Sequence, residues 1–228
     1  MSEPKFLLEL FSGTGSVGRP WREAGHRVDS VDLDSRYNPE ECEDILEWDY
    51  RRLDTQPPDV IWCSCPCEQY SIARTRAKTP RNYQHADALV AKAWEIIKHF
   101  QNLNPKLIWF VENPDSSQLW SRAVAWELYP RVRLDYCQYG GPGYRKRTKV
   151  ATNALWTPRP LCDPRTCPSC IDGRHVKSAQ KGPGKGKGPG DTNSLDTLHA
   201  LPRTLTEEVM AICAGVSAAA AISARVSS

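Results

Sequence analysis

No stretch of this 228-residue chain stays apolar for long enough to cross a bilayer. The most apolar late run, residues 211–224, is about fourteen residues of mostly Ala and Ser, against the roughly 20 that a spanning helix needs. The opening "MSEPKFLLELF" lacks both the basic start and the long apolar run of a secretory leader. No internal repeat is visible, which argues against a stacked-repeat architecture. A cytoplasmic chain without membrane association is expected, and there nine cysteines are free, catalytic or metal-bound rather than disulfide-paired.

What is present is an ordinary globular composition, 40% hydrophobic and 25% charged, enough for one large domain or one domain with a small insertion. The net charge of +3 conceals an asymmetry. Residues 145–187 carry eleven Lys/Arg against two Asp, a balance of +9, and the remainder balances at −6. A basic segment on an acidic body predicts a polyanion-binding face.

Apolar runs alternate with helical patterns. Lys5–Leu10 reads as a strand, "FSGTGS" as a glycine-rich turn, and "VGRPWREAG" as a helix ending near Gly25. "HRVDSVDLD", "PDVIWCS" and "KLIWFVENP" read as further strands, His85–Leu103 as a helix of 3.6-residue period, 118–128 as another helix and 132–137 as a strand. This alternation predicts an open, mainly parallel α/β sheet covered on both faces. After Trp156 the chain turns rich in Cys, Pro and charge. "KSAQKGPGKGKGPGDTNS" reads as a low-complexity linker, and a final helix starts near Thr204, with Thr204 and Glu207 at capping-box spacing.

A glycine turn between strand and helix lets a ligand approach backbone N–H groups closely. Phe11-Ser12-Gly13-Thr14-Gly15 is such a turn, and Asp32 and Asp34 follow where an acid commonly accepts ribose hydroxyls. The missing third glycine argues against an ordinary NAD site. At the strand ends stand two reactive groups, Cys67 in "WCSCPCEQYS" and Glu112 in "VENP". The three cysteines of the first stretch, Cys63, Cys65 and Cys67, admit a metal site, a disulfide or a nucleophile. A thiol and a carboxyl on separate strands suit attack on a pyrimidine: thiolate adds at ring carbon 6 while the acid serves ring nitrogen 3, making carbon 5 nucleophilic.

At this point the chain resembles the cytosine carbon-5 DNA methyltransferases, through ordered matches at "ELFSGTGS", "VDLD", "EDI", "CPCEQYS", "VENP" and "YGGPGYRKRT". The resemblance implies a Rossmann-like, S-adenosylmethionine-dependent methyltransferase fold. It places the cofactor on Phe11, Ser12, Gly13, Thr14 and Gly15, its ribose on Asp32, and its adenine against Leu33, Asp44 and Ile45. Cys67 becomes the nucleophile, its thiolate favoured by basic surroundings, and Glu112 the partner of ring nitrogen 3. Arg145 and Arg147 would hold the flipped base and its phosphate. Cys63 and Cys65 become lining or packing residues. Ser71, Arg74, Arg76, Lys78 and Arg81 just beyond the nucleophile, with Asn113, which is also expected to shape its loop, and Lys146 and Lys149, are the residues expected to touch double-stranded DNA. The base must leave the stack to be attacked. The Asp/Asn/Ser-Pro-Pro-aromatic signature of exocyclic-amine methyltransferases is absent.

The chain departs from the family in three places. Gly143 stands where the arginine motif has glutamine, the late Asn-containing motif is missing, and the segment before the last helix is too short for a large recognition domain. "ALPRTLTEEVMAI" is expected to supply a substitute helix near the first motif. The short segment instead carries Cys162, Cys167, Cys170 and His175, three thiolates and an imidazole at spacings suited to tetrahedral zinc. The expected organisation is a catalytic domain over 1–156, a small Cys/His- and Lys-rich recognition insertion over 157–195, and a C-terminal helical segment over 196–228 packing back. A monomer is expected, acting at a short recognition site.

Overall fold

The computed structural model describes residues 3–74, 77–140, 143–177, 179 and 195–215. Its centre is a seven-stranded sheet: β1 (Phe6–Leu10), β2 (Arg27–Asp32), β3 (Glu41–Cys42), β4 (Val60–Ser64), β5 (Ile108–Pro114), β6 (Arg131–Asp135) and β7 (Arg147–Thr152). The spatial order is β3-β2-β1-β4-β5-β7-β6. β1, β2, β3, β4 and β5 pair in parallel, and β7 alone runs antiparallel, between β5 and β6.

The inner strands are apolar throughout because both faces are covered. Alternate side chains divide between two cores. Leu8, Ile61, Cys63, Trp109 and Val111 meet the long helix α2 (Tyr83–Leu103) through its Val90, Ala93, Ile97 and Phe100. Leu7, Val60, Trp62 and Phe110 meet α1 (Gly18–Glu23) and α4 (Arg203–Cys213) through Trp21, Leu205 and Val209. Asn82 caps α2, its side chain accepting the His85 N–H at 3.1 Å. A second sheet of two short strands, β8 (Cys170–Ile171) and β9 (Arg174–His175), forms a hairpin turned by Asp172 and Gly173 at φ 50° and 72°. A short helix α3 (Leu195–His199) precedes α4. No helix among the described residues is long and apolar enough to cross a membrane.

Three local expectations give way. Residues 118–128 form two short 3₁₀ turns, Gln118–Ser121 and Ala123–Ala125, rather than one helix. The Arg131 guanidinium takes the carbonyls of Leu128, Trp120 and Ala125, and Trp120 donates to Pro114 O at 2.8 Å, so helical pairing is replaced. β7 begins in the last two residues of what reads as the arginine motif and runs beyond it, where flanking charge hides its buried Thr148, Val150 and Thr152. The last helix is capped at Pro202, not Thr204, and Glu207 pairs with Arg203 at 3.0 Å instead of closing a capping box. The low-complexity linker falls almost entirely outside the described residues.

Candidate active site

β1 ends in a turn whose backbone only a few residue types tolerate: Phe11, Gly13 and Gly15 have φ of 56°, 47° and 63°. The turn is locked to the end of β2. Gly13 N–H donates to Asp32 Oδ2 at 2.7 Å, Asp34 N–H to Asp32 Oδ1 at 2.9 Å, and Ser12 N–H to Val31 O at 3.2 Å. Each Asp32 oxygen keeps a further lone-pair direction for a hydroxyl. Beside the turn is a cavity of about 150 Å³ lined by Phe11, Asp32, Leu33, Asp44 and Ile45. Ser12, Gly13, Thr14 and Gly15 do not line it; they form the adjoining turn. Val31, Pro66 of the Pro-Cys strand end, Glu43, His85 and Leu89 complete the lining; Glu43 and His85 were not singled out as site residues by the sequence. An apolar slot edged by carboxylates suits a flat heteroaromatic ring carrying a ribose, so the residues fit the adenosyl group that the fold's cofactor carries. "ALPRTLTEEVMAI" lies beside this turn: Leu201 N–H donates to Ser16 Oγ at 3.0 Å, and Arg203 meets Glu23 at 2.6 Å.

Pro66 faces that slot, and the next residue, Cys67, faces another. Cys67 lines a cleft of about 420 Å³ with Pro114, Ser116, Arg145, Lys146 and Arg147. Its loop is pinned from β5: the fully buried Asn113 donates from Nδ2 to Cys65 O at 2.8 Å. Asn113 is therefore a loop-holding residue rather than a surface contact to nucleic acid. Glu112, one strand position earlier and buried, accepts from Thr148 Oγ1 and from Tyr136 OH at 3.4 Å. Cys63 and Cys65 are buried beneath, their sulfurs 3.2 Å apart, and Cys67 does not join them in any metal-binding group among the described residues.

The electrostatics correct one expectation. Burial raises the Cys67 thiol above its ordinary value, the Glu112 charge raises it further, and Lys146 only partly opposes them. Basic surroundings alone do not make a thiolate here. His199, at the end of α3, lines the same cleft and was not anticipated; burial, then the Lys146 charge, depress its imidazole below the ordinary value. It follows a segment with no motif, so only the fold brings it to Cys67.

The predicted cationic contacts divide. Arg145 is exposed at the cleft, and Lys78 is exposed beyond the nucleophile loop. Ser71 Oγ accepts the Ala73 N–H at 3.2 Å, and Arg74 donates to Thr79 Oγ1 at 2.8 Å. Arg81 is occupied internally, donating to the carbonyls of Gln69 and Ser71. Lys149 is paired with Asp115 at 3.1 Å and lies over Trp120. Arg147 makes a two-point pair with the fully buried Asp135 at 3.0 and 2.8 Å, and Lys146 Nζ donates to Leu198 O at 2.8 Å. Arg81 and Lys149 thus each have partners within the chain. Arg76 lies outside the described residues.

The Cys/His cluster is real but differently composed. Cys137, Cys162, Cys167 and His175 bring their ligand atoms within 4.8 Å of one another. His175 Nε2 lies 3.5 Å from Cys162 Sγ and 3.6 Å from Cys167 Sγ. Cys170, the expected fourth ligand, instead lies against the other nitrogen, Nδ1, at 3.4 Å. Cys137 sits in the 3₁₀ turn after β6, twenty-five residues before Cys162, where no local spacing marks it as a ligand.

No protein-family model matches the chain. It is 34% identical over 232 residues to the "Probable DNA (cytosine-5)-methyltransferase" of Frog virus 3 (isolate Goorha), covering 91% of this chain and 99% of that protein. Among solved structures it is similar to the Dnmt2 methyltransferase of S. pombe, with TM-score 0.47 and 16% identity over 74% of this chain and 57% of that one. It is also similar to the Entamoeba histolytica methyltransferase EhMeth, with TM-score 0.46 and 14% identity over 70% of this chain and 56% of that one. At such identities and scores neither structure bears on substrate.

Proposed function

The chain belongs to the cytosine carbon-5 DNA methyltransferase family, and from that premise we propose that it methylates carbon 5 of cytosine in double-stranded DNA through a covalent Cys67 adduct on a flipped-out base. The observation that carries this reading is the placement of neighbours: Pro66 lines the adenosyl-sized slot and Cys67 lines the cationic cleft. Donor and acceptor pockets meet across one peptide bond.

Asp32 would hold the ribose hydroxyls, with Leu33, Asp44 and Ile45 around the adenine. When bound, S-adenosylmethionine supplies an electrophilic methyl group. The cleft's cations, Arg145 and Arg147, meet the phosphate of the extruded nucleotide. Glu112, when protonated, donates to ring nitrogen 3; held by Thr148 and Tyr136, it is aimed before substrate arrives. A protonated Glu112 also no longer opposes the Cys67 thiolate. The Cys67 sulfur bonds to carbon 6, nitrogen 3 takes the Glu112 proton, and carbon 5 becomes the nucleophile. Carbon 5 takes the methyl group as the donor's sulfur departs with the bonding pair; its proton then leaves to a base, for which His199 is available in the cleft, and the sulfur–carbon bond breaks to release Cys67 as nitrogen 3 returns its proton to Glu112.

A zinc ion in the Cys/His cluster is the second cofactor in this reading, and the β8–β9 hairpin beside it reads at most a few base pairs. The chain acts as a monomer in the cytoplasm or wherever the host DNA resides.

The test is incubation with labelled S-adenosylmethionine and unmethylated duplex DNA, followed by nucleoside mass spectrometry. A 5-methylcytosine peak that disappears with Cys67→Ser supports the reaction and the nucleophile together. Product on RNA but not on duplex DNA would overturn the substrate, and binding without transfer to either would overturn the chemistry.

A further inference from the structure

The fourth member of the cysteine cluster comes from the catalytic sheet, and this changes what the cluster can do. In tetrahedral zinc sites with metal–sulfur distances of about 2.3 Å and metal–nitrogen distances of about 2.0 Å, a nitrogen and a sulfur ligand stand roughly 3.5 Å apart. His175 Nε2 stands 3.5 and 3.6 Å from the sulfurs of Cys162 and Cys167. Its second nitrogen, Nδ1, lies 3.4 Å from Cys170 Sγ, a partner that would orient the ring and leave Nε2 for the metal when Nδ1 carries the proton. Gln138 Nε2 approaches both Cys137 and Cys167 at 3.8 Å, a donor to thiolate sulfur.

Two residues before Cys137 lies Asp135, fully buried. One carboxylate receives both Arg147 contacts and, at 2.9 Å, the backbone N–H of Cys162. The far end of the insertion grips the same segment from the other side: Lys177 N–H donates to Gly143 O at 3.2 Å. The stretch bearing Arg145 and Arg147 is therefore held between two points of the Cys/His element, and one of them is shared with a cleft arginine.

We propose that Cys137, Cys162, Cys167 and His175 bind one zinc ion that staples the insertion to the end of β6 and so positions Arg147, through Asp135, over the cleft. Cys170 orients His175 and is not a ligand. The proposal rests on the zinc reading above and extends it from a folding aid for the insertion to a positioning device for nucleic-acid binding.

The test uses the full chain. Purified without chelator, it should carry one equivalent of zinc by elemental mass spectrometry, and Co²⁺ exchanged into it should give the visible bands of a tetrahedral thiolate site. Cys137→Ser should lose most of the zinc while Cys170→Ser retains it. Asp135→Asn should keep the zinc and its cofactor affinity, yet raise both the Kd for duplex DNA and the KM about tenfold with little change in kcat. A zinc-free wild-type protein with no tetrahedral cobalt spectrum would sink the zinc reading and the proposal with it. Zinc kept by Cys137→Ser but lost by Cys170→Ser would overturn the ligand set and its link to the sheet. If Cys137→Ser does not fold, the cobalt spectrum and Cys170→Ser still decide the ligands. Zinc retained with unaltered DNA affinity and KM in Asp135→Asn would leave a metal centre without the coupling and so overturn the positioning role.

Discussion

The two cavities that meet at the Pro66–Cys67 peptide are built in opposite ways. The cofactor slot is assembled from strand ends close together in the chain, residues 11, 31–33 and 43–45, with α2 and Pro66 closing it. The cleft draws on residues 67, 114–116, 145–147 and 198–199. The first is mostly apolar with its carboxylates bonded to backbone; the second gathers cations around one thiol. The slot's local turn chemistry leaves a sequence signature, while the cleft's composition exists only after distant segments dock. The slot is also braced by N–H groups that cannot titrate, whereas the cleft is poised by charges that can.

Substitutions can separate the two halves. Cys67→Ser should lower methyl transfer by at least about a thousandfold while leaving S-adenosylmethionine affinity within about twofold, measured by calorimetry beside a single-turnover assay. A parallel loss of cofactor affinity would mean that the cavities are not independent.

Glu9 offers a break on the cofactor side. Buried under α1 and accepting the Gly18 N–H at 2.9 Å, its carboxyl is pushed up to about 7 by burial, partly offset by the N–H groups of Gly18 and Val17. The folded state therefore keeps a proton that the unfolded chain has released. That contribution is complete below an ordinary carboxyl's pKa and is lost as pH rises toward about 7. Stability should fall by about 3 kcal/mol between the two limits, seen as a lower urea midpoint at pH 8 than at pH 5. Glu9→Gln should flatten this dependence, and an unchanged slope would assign it elsewhere.

Asp32→Ala should weaken S-adenosylmethionine binding by about 10- to 100-fold, because it removes the ribose acceptor and frees the Gly13 and Asp34 N–H groups. DNA affinity, measured by anisotropy, should hold. The mildest effect concerns the cleft's charge balance. Alkylation of Cys67, followed by peptide mass spectrometry, should accelerate as pH rises, and in Glu112→Gln its inflection should move downward because a charge that raises the thiol has gone. No movement would mean that Glu112 does not govern the thiol.

The legibility of the molecule follows the same divide. The turn Phe11–Gly15, Asp32, Asp44, Cys67 and Glu112 sit at strand ends that apolar runs and glycines announce, and their order along the chain belongs to the family. β7 was not legible, because a strand flanked by arginines and lysines reads as a basic loop until Glu112 and Asp135 are seen beside it. Arg81 and Lys149 read as phosphate contacts from charge alone; the Arg81 partners are carbonyls ten and twelve residues earlier in the same connection, and the Lys149 partner is a carboxylate just past the end of β5.

The chain's own residues thus determined an alternating α/β sheet, the strand-end positions of its reactive groups and the existence of a Cys/His element, because each depends on periodicity or spacing over a few neighbours. Which thiol completes that element, where His199 falls and whether a given cation faces outward were decided by tertiary structure alone. Those outcomes depend on which side chains become neighbours once the sheet closes. Burial then sets their charge and their partners, as it does at Cys67, where burial and the neighbouring Glu112 charge raise a thiol expected to ionise easily.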